Sequence, residues 1–556
     1  MARLVQRGGF LAGLSLLMAL VVTDVAAQVQ PVRVGGGLRI SGESYTSSGF
    51  VSSTRPGQTG IATGRLNIQL MDQLTLPLSF YLSTESSGFE QPFNQFGMSP
   101  EWKWVRVHAG YFSTRFSEFS LADARLLGGG VEIRPGIFRF GFVQGRSQRA
   151  VEADSVSGLP GLYKQKTTAV TFGLGDESGW HFLLSGLKVK DDTTTVRVPG
   201  LSTPKENVVA SARFGAALIP RKLTFRTEVA FSAFTDDVTS DSLSSSGDFD
   251  ALVKALDPFL TPTSSTRVDG AVNALLDANP SQHFGVQLEG RYVGPGYESL
   301  GATQIEADIL DLLISPRINV GRFRMSARVG VRSNNVADTR IATQRRTLVA
   351  ANATVRASRA LSISGEFANY GLNASRDLDT TKVTSISRLF GVTPTLSWSS
   401  GSVSHSATLG LRHQEANQSN RRGRVELQAA DTKNNDVTAS YSVSLPSGLS
   451  LSTMVAMSRS DFGDDLTTTV LTLSESFATR FLQGRVRVSG SAAYNRIKTT
   501  TTDNGFQFRT GASYEVHSHG QVEMNIIARF FKYGQEKNGE DGFSEFTTRL
   551  GYNYRF

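Results

Sequence analysis

The sequence predicts an all-β protein: a transmembrane antiparallel up-and-down β-barrel of about 26 strands, with 24 as the lower bound and no N-terminal plug domain. Three observations predict it. The chain opens with an export signal, its body alternates apolar and polar residues with period two, and its last residue is an aromatic that closes one such alternating segment.

The export signal is read from Arg3 and Arg7, an apolar stretch from Phe10 to Val22, and the small residues Val25, Ala26 and Ala27. That layout is a secretory signal peptide over residues 1–27, cleaved after Ala27, and the apolar run is too short to span a bilayer core of roughly 30 Å. The mature chain, 28–556, then reads as one barrel. No later segment approaches the ~18 consecutive apolar residues of a membrane helix.

Composition narrows the class further. With no cysteine in 556 residues, a disulfide scaffold, a cysteine-anchored lipoprotein and a thiolate metal protein are excluded. The mature length exceeds what one soluble core holds, since such cores stop growing near ~300 residues. A barrel escapes that limit because it grows strand by strand around a ring, and each strand needs one apolar face. The net charge of +8 is spread along strands, not gathered in an arm or helix, so nucleic acid is not expected as a partner.

The alternation is clearest at the end. Phe546, Thr548, Leu550, Tyr552, Tyr554 and Phe556 occupy one phase, and Glu545, Thr547, Arg549, Gly551, Asn553 and Arg555 the other. Successive strand side chains point to opposite faces, so one face is oily and the other polar. This ending resembles the C-terminal signal read by the outer-membrane barrel assembly machinery, with Leu550, Tyr552, Tyr554 and Phe556 matching it. The pattern recurs at Leu223–Phe231, Arg322–Arg332 and Arg485–Asn495. A soluble sandwich also alternates, but its strands are usually shorter than these.

Turn signals set the topology. They fall at Met71-Asp72-Gln73, Ser99-Pro100-Glu101, Arg134-Pro135-Gly136, Asp176–Gly179, Ile219-Pro220-Arg221 and Asn279-Pro280-Ser281. They continue at Val320-Gly321, Ser358-Arg359, Ser399–Gly401, Pro446-Ser447-Gly448, Gln483-Gly484 and His517–Gly520. Between successive tight turns lie two strands and a longer polar linker, as expected for periplasmic turns and external loops. Keeping every tight turn on one side requires Phe89–Met98 and Arg267–Asp277 to be strands, and places both termini in the periplasm. The longest linker, 236–266, carries Phe249, Leu252, Val253 and Leu256 at helical spacing, which predicts a short outer helix or a constriction folded into the lumen.

Two stretches, Pro92 to Phe142 and Arg291 to Ala302, resemble a family of large outer-membrane barrels of Bacteroidota and related phyla. The resemblance implies fold and outer-membrane location and carries no established activity. Within the second stretch, Gly294-Pro295-Gly296-Tyr297 reads as a rigid turn at the outer mouth.

A ring this wide cannot be filled by its own wall side chains. Strand pattern starts near Val32, leaving no space for a plug domain ahead of the barrel. The polar phase assigns Arg226, Arg291, Arg324, Arg328, Arg332, Arg485, Arg487 and Arg529 to the lumen, with Arg549 and Arg555, and Glu228, Glu289, Glu523 and Glu545 as their potential ion-pair partners. Two functions follow: a porin-like channel or transporter for polar, anion-biased solutes, or a component of an outer-membrane assembly or secretion complex housing a periplasmic or lipoprotein partner. An enzyme would need a nucleophile beside a base. The seven histidines are scattered and no Gly-x-Ser-x-Gly elbow occurs, so no enzymatic activity, catalytic residue or cofactor is expected. His517 with His519, and the acidic tips at Asp236, Asp237, Asp461, Asp464 and Asp465, are weak metal candidates.

Overall fold

The computed structural model describes residues 32–49, 56–70, 74–84, 95–153, 160–176, 179–200, 202–242, 257–376, 381–422, 425–463, 466–537 and 539–556. The expected signal peptide, the apolar cluster Phe249–Leu256, the turn signal at Met71–Gln73 and Asp464–Asp465 lie outside the described residues.

The described chain is a single antiparallel sheet closed on itself. Its first part comprises β1 (Val32–Gly49), β2 (Gln58–Leu70), β3 (Leu74–Ser83), β4 (Gln95–Met98), β5 (Glu101–Trp102), β6 (Val105–Arg115), β7 (Ala122–Ile133), β8 (Phe138–Gln148) and β9 (Lys164–Gly175). The sheet continues through β10 (His181–Asp192), β11 (Glu206–Ile219), β12 (Leu223–Thr235), β13 (Thr266–Ser281), β14 (Phe284–Val293), β15 (Ile309–Val320), β16 (Phe323–Asn334), β17 (Ala342–Arg356) and β18 (Leu361–Arg376). It ends with β19 (Thr381–Ser400), β20 (Val403–Arg422), β21 (Val425–Ser444), β22 (Ser450–Asp461), β23 (Thr467–Phe481), β24 (Val486–Lys498), β25 (Thr502–His517), β26 (Gly520–Lys537) and β27 (Glu540–Arg555). Because β4 and β5 lie end to end between β3 and β6, the wall has 26 strands.

Closure is made by the two ends of the chain. Gly37 to Gly49 of β1 pair with Arg555 to Phe543 of β27, so no strand edge is left on either side of the seam. Leu550, Tyr552 and Tyr554 face Gly42, Ile40 and Leu38 in this register, and Gly36 N donates to Phe556 O at 2.8 Å. Leu550 and Phe546 are exposed on the outer surface, as are Leu312 and Ile314 of β15 and Val392 and Leu396 of β19. Large apolar side chains exposed all round a ring have a favourable environment only against hydrocarbon. At the short-turn rim this outer face carries aromatic groups, among them Trp398 stacked on His405 at 5.1 Å and Tyr554 against Phe556 at 5.4 Å. Such girdles belong at a membrane interface.

Of the strands required by turn parity, Arg267–Asp277 is present, and Phe89–Met98 is present over its described part. Thr266–Ser281 is β13, and Gln95–Met98 is strand, while 89–94 lie outside the described residues. Two reversals are displaced from their signals. Pro100 has no N–H to give the ladder, yet the chain runs on through Glu101–Trp102 and reverses at Lys103, whose φ is 52°. Pro280 likewise sits at the end of β13, before the reversal at Gln282–His283.

One departure shapes the interior. β7 pairs with β8 only from Leu127 to Ile133, and β6 meets β4 only at Gly97–Gly110 and Met98–Ala109. Beyond these points the β6–β7 hairpin leaves the wall. Gly110 takes a φ of +80°, open to glycine and strained for other residues, and a Cβ there would meet Phe96 O at 2.5 Å. Thr114 consequently donates to the same Glu132 oxygen that contacts His108. Six extended residues would span about 20 Å, so β6 bends sharply between His108 and Thr114.

Candidate functional site

The tip of that hairpin, 116–121, touches Gly141 of β8, Ser185 of β10, Glu228 of β12, Asn273 of β13 and Arg291 of β14. A segment reaches that many separated strands of a ring only from its concave side. A second in-folded segment, 294–308 between β14 and β15, meets the first inside the barrel. Tyr297 Oη donates to Phe119 O at 2.8 Å, Ser299 Oγ to Ser120 O at 2.9 Å, and Ala122 N to Gly301 O at 3.0 Å.

The sequence reason is visible at both partners. Phe112, Phe116, Phe119 and Leu121 supply apolar bulk on one segment, and Tyr297, with Leu300 and Ile305 against it, on the other; all pack into one cluster with Leu187, Val209, Ala230 and Val293 of the wall. The Gly294–Tyr297 motif is therefore not a loop tip at the outer mouth. Tyr297 is 2% exposed, turned inward, and its ring meets Phe119 edge-on at 5.9 Å. Burial, together with the charge of Glu228, raises its phenol above the ordinary value of 10, which keeps it a hydrogen-bond donor.

Polar contacts lock the pair of segments to the wall. Glu228 accepts from Ser117 Oγ and from Phe119 N at 3.0 Å, and Asn207 Nδ2 donates to Glu298 O at 3.1 Å. Arg291 pairs with Glu118 at 2.9 Å and lies 5.2 Å over the Phe119 ring. Of the ten arginines assigned to the lumen, Arg291 thus serves the in-folded segments. Arg332 is held by Asp311 at 2.6 Å and by Glu306 at 3.1 Å, Arg487 by Glu515 and Arg529 by Glu545, both at 3.3 Å. Arg485 donates to the carbonyls of Glu515 and Val516. Among the described residues no ion pair engages Arg226, Arg324 or Arg328. The register puts Arg324, Arg328 and Arg332 on the face of β16 that also carries Ser326, opposite Asp311 and Arg317 of β15. Arg226 shares the Glu228 face of β12. Of the four candidate partners, Glu545 pairs with Arg529 and Glu523 with Arg39 at 3.8 Å, whereas Glu228 is committed to the hairpin.

The other half of the inner wall is lined differently. Ser397, Ser406, Ser442, Ser452, Ser476 and Ser491 are successive register partners across β19 to β24, and the row ends at Arg509 of β25. Six strands spaced at ~4.8 Å make this row about 24 Å long. With a strand tilt of about 40° it climbs roughly 15 Å along the barrel axis. Arg509, Arg529, Arg549, Glu43 and Tyr45 border a recess of about 1020 Å³ at its end.

The metal candidates do not assemble. His517 closes β25 and contacts Tyr552 Oη at 3.1 Å, His519 lies in the turn, and their rings are 6.3 Å apart. Asp236 pairs with Lys205, and Asp461 accepts from Thr467. Among the described residues no group of three metal-ligating side chains occurs.

The fold and this interior define a large closed β-barrel narrowed by its own chain. A scan against protein-family models finds no match, and neither does a search of curated proteins. Among solved structures, the chain is similar to the FrpB iron transporter of Neisseria meningitidis at 11% identity, with 94% of this chain and 82% of that one covered and a TM-score of 0.41. Further similar structures are OccAB2 of Acinetobacter baumannii (10% identity, 70% and 98% covered, TM-score 0.29) and OmpT of Vibrio cholerae (10%, 70% and 98%, 0.25).

Proposed function

We propose that this protein is an outer-membrane channel through which polar solutes, anions preferred, pass along an off-centre path between the in-folded hairpin and the opposite wall. The observation that carries the reading is the one-sided filling of the interior. The buried apolar cluster draws its wall residues from β8 to β15, while the inner face of β19 to β24 keeps its hydroxyl row and ends at arginine. A hydroxyl-lined wet wall suits a hydrated solute, and unpaired arginines bias it toward negative charge. Export by the leader, assembly through the C-terminal aromatics and the resemblance to Bacteroidota barrels fit an outer-membrane location. Purified barrel in planar bilayers is the test. Discrete conductance with an anion-selective reversal potential is expected, reduced in the double variant Arg324→Ser, Arg328→Ser. A silent bilayer with correctly folded protein rules the reading out.

A further inference from the structure

Strand pairing sets three residues, one directly after β4 and one each on β6 and β7, in a chain of contacts, with Ser99 beside His108 and His108 beside Glu132. Ser99 Oγ lies 2.8 Å from His108 Nδ1, and His108 Nε2 lies 2.9 Å from Glu132 Oε1. His108 and Glu132 are each 4% exposed, and Glu132 also receives Thr114 Oγ1 at 2.7 Å and Arg134. Phe112 stacks on the imidazole at 4.7 Å and fixes its plane. Ser99, by contrast, is half-buried and lines a recess of about 760 Å³ that Arg33, Arg65 and Arg125 also border.

From this arrangement we infer that Ser99, His108 and Glu132 form an acyl-transfer site for carboxylic esters that carry an anionic group. Glu132 accepts a hydrogen bond from Nε2–H, which leaves Nδ1 unprotonated and facing the Ser99 hydroxyl. Attack of Ser99 Oγ on the ester carbonyl transfers its proton to Nδ1, and Glu132 stabilises the imidazolium. His108 returns that proton to the departing alkoxide oxygen as the C–O bond breaks, leaving an acyl-Ser99. Water, deprotonated by the same nitrogen, then releases the carboxylic acid and restores Ser99. The ring presents its nitrogens in the reverse order to the commonest serine triad, and the proton path is unchanged by that. Three guanidinium groups around the recess select a substrate with negative charge.

A purely structural polar strut would have no reason to leave the hydroxyl open to a cationic recess, and the two roles separate in experiment. Detergent-purified full-length barrel is treated with a fluorophosphonate probe and mapped by mass spectrometry, and hydrolysis of 4-methylumbelliferyl hemisuccinate is compared with that of the acetate. Expected are an adduct on Ser99, a preference of about tenfold for the hemisuccinate, loss of both signals in Ser99→Ala, and a fall of about 100-fold or more in His108→Gln. Heat-modifiable migration verifies that each variant is folded. An unlabelled Ser99 in folded barrel, or undiminished hydrolysis in Ser99→Ala, overturns the inference. The assay needs no bilayer, so its failure leaves conduction untouched, and a silent bilayer leaves the labelling untouched.

Discussion

The hydroxyl of Tyr297 and the carbonyl of Phe119, 178 positions apart in the chain, share a hydrogen bond of 2.8 Å inside the barrel. Removing it by Tyr297→Phe strands a buried carbonyl at a cost of about 1 kcal/mol. Tyr297→Ala also opens a cavity and costs about 3 to 5 kcal/mol. The alanine variant is expected to show larger and noisier single-channel conductance than the phenylalanine variant, because the two in-folded segments come apart.

Glu228 holds the hairpin tip from the wall side through Ser117 and the backbone of residues 118 and 119. Glu228→Ala removes three hydrogen bonds to a carboxylate and is expected to destabilise the tip by about 3 kcal/mol. Conductance should rise and limited proteolysis should begin to cut near Phe119. Unchanged conductance in both Tyr297→Ala and Glu228→Ala would show that these segments do not bound the path.

Arginines on one strand separate by their partners. Arg332 is fixed by Asp311 and Glu306, whereas Arg324 and Arg328 have no ion pair among the described residues. Arg328→Ser should therefore lower anion selectivity more than Arg332→Ser. Arg332→Ser should instead lower the temperature at which the barrel loses its folded migration, since it leaves Asp311 uncompensated. Reversal potentials and heat-modifiable migration measure the two effects.

Glu152 links the β8–β9 and β10–β11 connections by accepting from Arg197 N at 3.0 Å and Val198 N at 2.8 Å. These bonds hold its carboxyl below the ordinary 4.5, so its stabilising effect is complete above pH 4.5 and is lost as pH falls through the lowered value. Proteolysis of the 149–163 loop is expected to be constant from about pH 5 to 8 and to increase in more acid solution. Glu152→Gln should be cut faster throughout.

Much of this architecture is legible in the residues. Alternation alone gives β16, β24 and β27, and turn parity assigns Arg267–Asp277 to strand, within the observed Thr266–Ser281, although Ala271–Leu276 also suits a helix. The hairpin's departure from the wall is not legible, because Gly110 and the run Gly128–Gly130 read as weak strand and only the missing β4 and β8 partners reveal the kink. The turn at Ser99-Pro100 was displaced for a related reason: proline interrupts a ladder as readily as it ends one. Phase groups the arginines of one strand on one face, but which are neutralised depends on Glu118, Asp311 and Glu306, which come from other segments. Ser99, His108 and Glu132 bear no mutual spacing that a motif could record, so the histidines look scattered until the strands are paired.

The seam between β1 and β27 has a consequence for biogenesis. Tyr45 donates to Glu545, 500 positions later, so the first strand waits for its second neighbour until almost the whole polypeptide has been delivered. Every partial product therefore travels with an unsatisfied edge at the front and a growing one behind, a condition that favours misassociation. Long-range pairing of this kind is also slow to form. Truncation near the C-terminus should thus yield an open sheet destined for degradation, and never a slightly smaller pore.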